Sequence, residues 1–393
     1  YHEGQPAHIV PPIQNIGSGP SGLTYYPGTG LPDLYENYFF MCDFRGDPNN
    51  SLIHAIQVDE DGAGFMIADR HDFVKQMLVT DCDFGMDGGM YATDWVAGWD
   101  KPQKGRIYRI AEPGVEERPE VQETKTLLAD GMVGRSTDEL VKLLGHVDMR
   151  VRNEAQFALA DHGAKAVANF QQAIASDDQF TRLHGVWGLW QLLIADDIDG
   201  QELVALLSHQ DRRVRAQAAR ALGEAKNGLG QSELIAMLSD PESRPRFFAT
   251  TALGLQGQRS KVAAQAIVAM LKENANRDPY MRHAGVVGLT GTTPAAKLAS
   301  LSNYSDKAVR LAAVLALRRM ESAKVAEFMN DDDAFIQEEV VRAIHDGHIT
   351  DAYPALTQQT NIPWENMAYA RRIINALYRT GDKASAEALA GYA

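Results

Sequence analysis

One signature recurs seven times in the second two-thirds of the chain. Arg152, Arg182, Arg215, Arg246, Arg282 and Arg310, with Gln337 in the same role, stand at intervals of 27 to 36 residues. Three residues after each anchor comes a small or slim residue: Ala155, Gly185, Ala218, Ala249, Gly285, Ala313 and Val340. Seven after it comes Leu159, Leu189, Leu222, Leu253, Leu289, Leu317 and Ile344. Positions i, i+3 and i+7 share one side of a helix, where the small residue admits a neighbouring helix and the leucine supplies the apolar stripe. Asp148, Asp178, Asp211, Asp278, Asp306 and Asp333 stand four residues ahead of their anchors, placed to cap the helix N-terminus. Pro241 and Pro279 follow Asp240 and Asp278, where a first helical turn tolerates proline. Upstream of several anchors, Asp138–Leu144, Gln201–Leu207, Gln231–Leu238 and Ala263–Leu271 carry apolar residues at helical spacing. A first helix, a short turn and a capped second helix therefore make the repeating unit.

The N-terminal part has a different period. From residue 23 to about 110, short β-rich runs alternate with Gly, Pro, Asp and Asn clusters, the pattern of strands joined by turns. The expected strands are Leu23–Tyr26, Tyr38–Asp43, Leu52–Val58, Gly64–Ala68, Met77–Phe84, Met90–Trp95 and Arg106–Ile110. Met86-Asp87-Gly88-Gly89 has the chemistry of a tight hairpin turn. Residues 111–123 hold two prolines and five glutamates and read as a solvated linker. The expected division is residues 1–110, the linker 111–123, and a helical array 124–393 whose last segment, 351–393, is a degenerate end cap.

A formal charge of −14 over 393 residues argues against a phosphate-binding surface, which needs clustered Lys and Arg, so nucleic acid is excluded as a partner. No apolar run approaches the roughly 20 residues that cross a bilayer. The opening Tyr1-His2-Glu3-Gly4-Gln5-Pro6 lacks the features of a signal peptide, and the chain reads as opening in mid-domain. Its only cysteines are Cys42 and Cys82. They leave two readings open: one bridge between neighbouring strands in an exported protein, or two buried free thiols.

The helical unit, with its Asp-x-x-Val-Arg-x-x-Ala form, resembles the short bacterial units of the HEAT family from about residue 124 to 350. Such stacked repeats leave a concave surface and as a class scaffold or bind partners. The strand half contains Gly19-Pro20-Ser21-Gly22-Leu23-Thr24-Tyr25-Tyr26-Pro27-Gly28 and Tyr38-Phe39-Phe40-Met41-Cys42-Asp43-Phe44-Arg45-Gly46. It also contains Thr80-Asp81-Cys82-Asp83-Phe84-Gly85-Met86-Asp87-Gly88-Gly89-Met90-Tyr91, then Thr93-Asp94-Trp95 and Gly105-Arg106-Ile107-Tyr108-Arg109. Together these resemble the closing blades of glucose/sorbosone-dehydrogenase-type β-propellers. The order of parts is similar to that of the bacterial membrane-bound-dehydrogenase-like, haem-binding proteins.

That resemblance implies a partial propeller of about two blades followed by a HEAT solenoid, with the remaining blades upstream or on another chain. It implies a periplasmic or otherwise exported quinoprotein-type oxidoreductase of a sugar, alcohol or aldehyde, using pyrroloquinoline quinone and calcium. It further implies a c-type haem in a downstream domain, since no Cys-x-x-Cys-His occurs here, and no turnover by this chain alone. Arg45 is the residue carried over as a cofactor contact, because a guanidinium binds carboxylates in a fork; the competing reading has it end a strand in solvent or pair with Asp43. Catalytic residues are not assigned.

Other constellations have plainer explanations. Asp81, Asp83 and Asp87 before Gly88 have the look of a calcium loop, but further ligands are lacking and Phe-Gly-x-Asp-Gly also simply turns a chain. Asp94, Trp95 and Trp99 suit either a propeller mouth or strand-end packing. Gly17-Ser18-Gly19-Pro20-Ser21-Gly22 spells a dinucleotide loop but leads into a strand rather than a helix. His345 and His348 read as surface histidines at a helix end, and the repeated arginines as an internal ladder rather than an anion stripe. Two functions from different classes follow: part of an oxidoreductase with the solenoid as docking platform, or a binding module for a protein or polysaccharide with a vestigial propeller.

Overall fold

A computed structural model describes residue 10 and residues 12–98, 103–357, 359 and 365–392. Trp99 lies outside the described residues. By contact the chain forms two compact units, Pro12–Glu202 and Leu203–Ala393.

The first unit begins with two antiparallel sheets. β1 (Pro20–Tyr25), β2 (Tyr38–Asp43), β3 (Leu52–Asp61) and β4 (Gly64–Lys75) form one, in sequence order. β5 (Val79–Phe84), β6 (Met90–Asp94) and β7 (Arg106–Ile110) form the other. All seven expected strands are present, with β3 and β4 running further than the apolar alternation suggested because they pair across their whole length. The sheets enclose a core of Tyr26, Phe40, Ile53, Val79, Phe84 and Met90, joined by both cysteines. The β5–β6 hairpin closes where expected: Gly85 donates to the Gly89 carbonyl at 2.8 Å, Gly88 takes φ 76°, and Asp87 accepts from the Gly89 amide.

Five helices complete this unit: α1 (Pro119–Asp130), α2 (Thr137–Leu143), α3 (Met149–Ala160), α4 (Val167–Ile174) and α5 (Gln179–Ile194). The linker expectation for 111–123 is corrected here. Val115 and Val121 are buried, and Pro119 starts α1 at a position where its missing N–H costs nothing. The glutamates misled because they occupy the solvent face of an amphipathic turn whose inner face needs only Val121 and Thr124.

The rest of the chain is helical: α6 (Gln201–Ala205), α7 (Arg212–Ala225), α8 (Gln231–Ala236), α9 (Ser243–Gln256), α10 (Lys261–Asn274) and α11 (Pro279–Thr292). Then follow α12 (Ala295–Ala299), α13 (Lys307–Arg319), α14 (Ala334–Asp346), α15 (Tyr353–Thr357), α16 (Met367–Thr380) and α17 (Lys383–Gly391). All seven anchors fall in second helices: α3, α5, α7, α9, α11, α13 and α14. Within the second unit α7, α9, α11, α13, α14 and α16 pack each on the next, a HEAT-like solenoid. The small residue after each anchor works as expected, since Ala218, Ala249 and Ala313 are wholly buried. No helix among the described residues is long and apolar enough to cross a membrane.

Candidate functional site

The six aspartates ahead of the anchors all cap. Asp148, Asp178, Asp211, Asp278, Asp306 and Asp333 each accept from a backbone N–H two or three residues on. The exception is α9, where Glu242 stands at that place and its longer side chain makes no cap bond. Helix α9 therefore starts at Ser243, and Pro241 precedes it instead of opening it.

The anchors are occupied internally. Arg152, Arg182, Arg215 and Arg310 each donate from NH1 to the carbonyls six and five residues back, closing the turn that enters their own helix. Gln337 makes the first of these bonds with its amide, to the Asp331 carbonyl at 2.6 Å. The remaining fork reaches forward to the next unit. Arg215 binds Asp240 at 2.7 and 3.0 Å, and Arg310 binds Asp331 at 2.8 and 3.0 Å. Those bonds raise the pKa of both guanidiniums, more than burial lowers it. The ladder is thus internal, as expected, but its ion pairs run to the following repeat rather than to the capping aspartate.

Around Arg45 the end of β2 gathers charge. Asp43 is fully buried, accepts from the Gly19 amide at 2.9 Å and receives the Arg45 guanidinium at 2.7 and 2.6 Å. Burial pushes its carboxyl up, but Arg45, the Gly19 N–H and His54 together hold it below the ordinary value. The loop after β2 fixes Arg45: its amide donates to Ser51 Oγ, which donates to the Asp47 carbonyl. Buried His54 on β3 faces Asp43 with Nε2 and Asp72 of β4 with Nδ1, each at 3.6 Å, and neither ring nitrogen makes a protein hydrogen bond. Asp72 is held low by Lys75 at 2.9 Å.

Arg45 therefore does what the competing reading says: its fork is on Asp43. That pairing compensates its charge, so these residues do not by themselves form a cradle for a tricarboxylate quinone. The calcium candidates do not converge either. Asp83 takes Thr24 and its own strand, Asp81 bonds the Cys82 amide, and Asp87 takes Arg109, Tyr91 and Gly89. Among the described residues no three His, Cys, Asp or Glu side chains are grouped to hold a metal. Asp94 is buried and caps a turn through the Val96 amide, while Trp95 is partly exposed. The glycine-rich run leads into β1, as expected, and Gly19 is required because a Cβ there would lie 1.7 Å from the Phe44 carbonyl. His345 bonds its neighbour Asp346, and His348 lies on the surface.

What the motifs did not disclose is the joint between the sheets and the first helical repeat. Arg150 in α3 donates through NH1 to the carbonyls of Phe84 and Gly85, at 2.9 and 3.1 Å, and through Nε and NH2 to Asp148. Asp148, wholly buried, also accepts from Thr29 Oγ1 at 2.6 Å. The Met149 amide donates to the Pro27 carbonyl at 2.7 Å. Gly28 lies so close to this turn that a Cβ would sit 2.2 Å from the Val147 carbonyl. Behind it, α3 and α5 share a buried polar chain: Arg152 donates to His184, which bonds Gln156, which donates to Gln191. Burial, then the nearby Arg152 charge, pushes His184 down to about 3. The usable signal was the pair Gly28 and Gly30, both at positive φ in a run otherwise read as strand end.

Comparison with known proteins agrees with this architecture at the coarse level. A family model of HEAT repeats matches residues 200–290, so the chain contains a HEAT-like repeat region. No curated protein matches the chain. Among solved structures, an engineered protein from the Northeast Structural Genomics Consortium is similar at 19% identity, over 63% of this chain and 78% of that one, with a TM-score of 0.33. An archaeal HEAT-like repeats protein from Thermococcus onnurineus NA1 is similar at 14% identity, over 66% and 100%, with a TM-score of 0.31. Human deoxyhypusine hydroxylase, solved with glycerol, is similar at 16% identity, over 65% and 88%, with a TM-score of 0.22.

Proposed function

We propose that this chain is the scaffold end of a larger exported oxidoreductase, in which the HEAT-like repeats serve as a docking platform and the two sheets are a pair of propeller-type blades. The observation that carries the reading is the joint at Arg150, Asp148, Thr29 and Gly28. Buried charge-assisted bonds there fix the first helical repeat to the sheets within Pro12–Glu202. HEAT repeats commonly mediate protein interactions, and a protein or polysaccharide on the solenoid's concave side is the partner this reading expects. The blade reading is supported by two consecutive meanders, one of four strands and one of three, with most of β7 exposed at the edge of the second. An exposed strand edge is a template on which a further strand can pair.

In this reading the quinone and calcium belong to blades outside this chain, and Arg45 acts with Asp43 as a wall of the site rather than as its anion fork. Dye reduction by the longer protein, supplied with pyrroloquinoline quinone and calcium, is the test. Turnover of a sugar, alcohol or aldehyde, weakened by Arg45→Ala, is the expected outcome; no turnover across a broad substrate panel removes the oxidoreductase half of the proposal. The platform half is tested separately, by whether the whole immobilised chain retains a specific protein or polysaccharide from the source extract; retention of none removes that half.

A further inference from the structure

We propose that Cys42 and Cys82 are a built disulfide site that staples the two sheets together, closed by oxidation while the chain folds. Cys42 lies on β2 and Cys82 on β5, in different sheets, yet both belong to the same apolar core and neither is more than 4% exposed. Cys82 Sγ lies 3.9 Å from the carbonyl of Phe40, two residues before Cys42 on the same strand. The backbones around the pair approach closely. Gly22 sits opposite Cys42, and a Cβ on it would lie 2.8 Å from Asp81 Cα, next to Cys82. Ser21 and Thr24 of β1 hydrogen-bond to Val79 and Asp83 of β5 on either side. Two cysteines that share one core across strands this close need little backbone movement to bond.

The burial that places the sulfurs also dictates when they react. The neighbouring Cys82 thiol and burial both push the Cys42 thiol up, and no oxidant in solvent reaches either sulfur once the sheets have closed. Oxidation therefore belongs to the open chain. One cysteine thiolate attacks a sulfur of a small disulfide such as oxidised glutathione, releasing one glutathione thiol. The second cysteine attacks the mixed disulfide at the protein sulfur and releases the other. Two protein thiols lose two electrons and two protons, and one glutathione disulfide becomes two thiols. Stapling ties together roughly 40 residues of chain, so it restricts the unfolded state more than it adds contacts. Its occurrence in the cell rests on the exported reading above; the pairing itself does not.

The experiment is refolding of the whole chain from denaturant in reduced or oxidised glutathione buffers. Thiol titration in denaturant, peptide mass mapping and thermal unfolding are the readouts. The oxidised product is expected to show no titratable thiol, a mass lower by two hydrogens, one Cys42–Cys82 linked peptide, and a melting temperature raised by several degrees. Folded reduced protein placed in the same oxidised buffer is expected to keep both thiols far longer. Cys82→Ser is expected to melt at the same temperature in both buffers. Two surviving thiols, glutathione adducts in place of the linked peptide, or a linked form melting at or below the reduced one would each overturn the proposal. So would oxidation of the folded protein as fast as of the open chain. Activity of the longer protein enters none of these readouts, so failure here is separable from failure of the oxidoreductase reading.

Discussion

Asp148 caps α3 much as Asp306 caps α13, but it also carries Arg150 and Thr29. Removing it leaves a guanidinium and a hydroxyl without their partner, so Asp148→Ala should cost about 3–5 kcal/mol in urea unfolding. Asp148→Asn keeps an acceptor for the cap and should cost less. Burial pushes this carboxyl up, but Arg150 and Thr29 outweigh burial and hold it below its ordinary value. Its contribution is therefore present above the unfolded value near pH 4 and is lost as the pH falls through the folded one. His184 acts earlier on the acid side. With a folded pKa of about 3 against 6.5 unfolded, the unfolded chain holds the extra proton between those values. Stability should therefore fall as the pH drops from 6.5, by on the order of 2 kcal/mol at pH 5. His184→Gln should flatten that slope between pH 7 and 5, which thermal unfolding across a pH series reads directly.

Between elements, the solenoid depends on close helix approach and on the forward ion pairs. A Cβ on Gly291 of α11 would lie 1.9 Å from the Gly254 carbonyl of α9, an atom that cannot move without its helix. Gly291→Ala should therefore separate the two helices and destabilise the second unit by about 1–3 kcal/mol, against the gain alanine gives an exposed helix. The Arg310–Asp331 bond is nearly sealed from solvent, with side-chain exposures of 8% and 1%. Arg310→Ala strands a buried carboxylate and should cost about 3–5 kcal/mol. Combined with Asp331→Ala the losses should not add, a coupling that a double-mutant cycle measures. The anchors were legible because capping and periodicity are local, whereas the targets of the Arg215 and Arg310 forks, 25 and 21 residues downstream, were not.

For the molecule as a whole, contact joins the first two helical repeats to the sheets, in Pro12–Glu202. Residues 12–110 alone lose Arg150, Asp148 and the cover over Gly28 and Gly88, and should aggregate or melt without a cooperative transition. Residues 12–202 should melt cooperatively as a monomer. Calorimetry with size-exclusion chromatography decides this, and a cooperative, monomeric 12–110 would show that the joint is dispensable.

The strand positions, the hairpin at Asp87-Gly88, the seven second helices with aspartate caps on six of them, and the internal use of the anchor arginines were determined by the sequence itself. Each rests on alternation, helical spacing or a side chain bonding a backbone amide a few residues away. The tertiary structure alone decided that Pro119 opens a helix, that Arg45 spends its fork on Asp43, that His54 stands between two carboxylates, and that Arg150 reaches Phe84. The last of these unites residues more than 60 positions apart. Which of many aspartates, carbonyls or thiols such a side chain meets is set by the packing of sheets and helices, and local spacing carries no record of it.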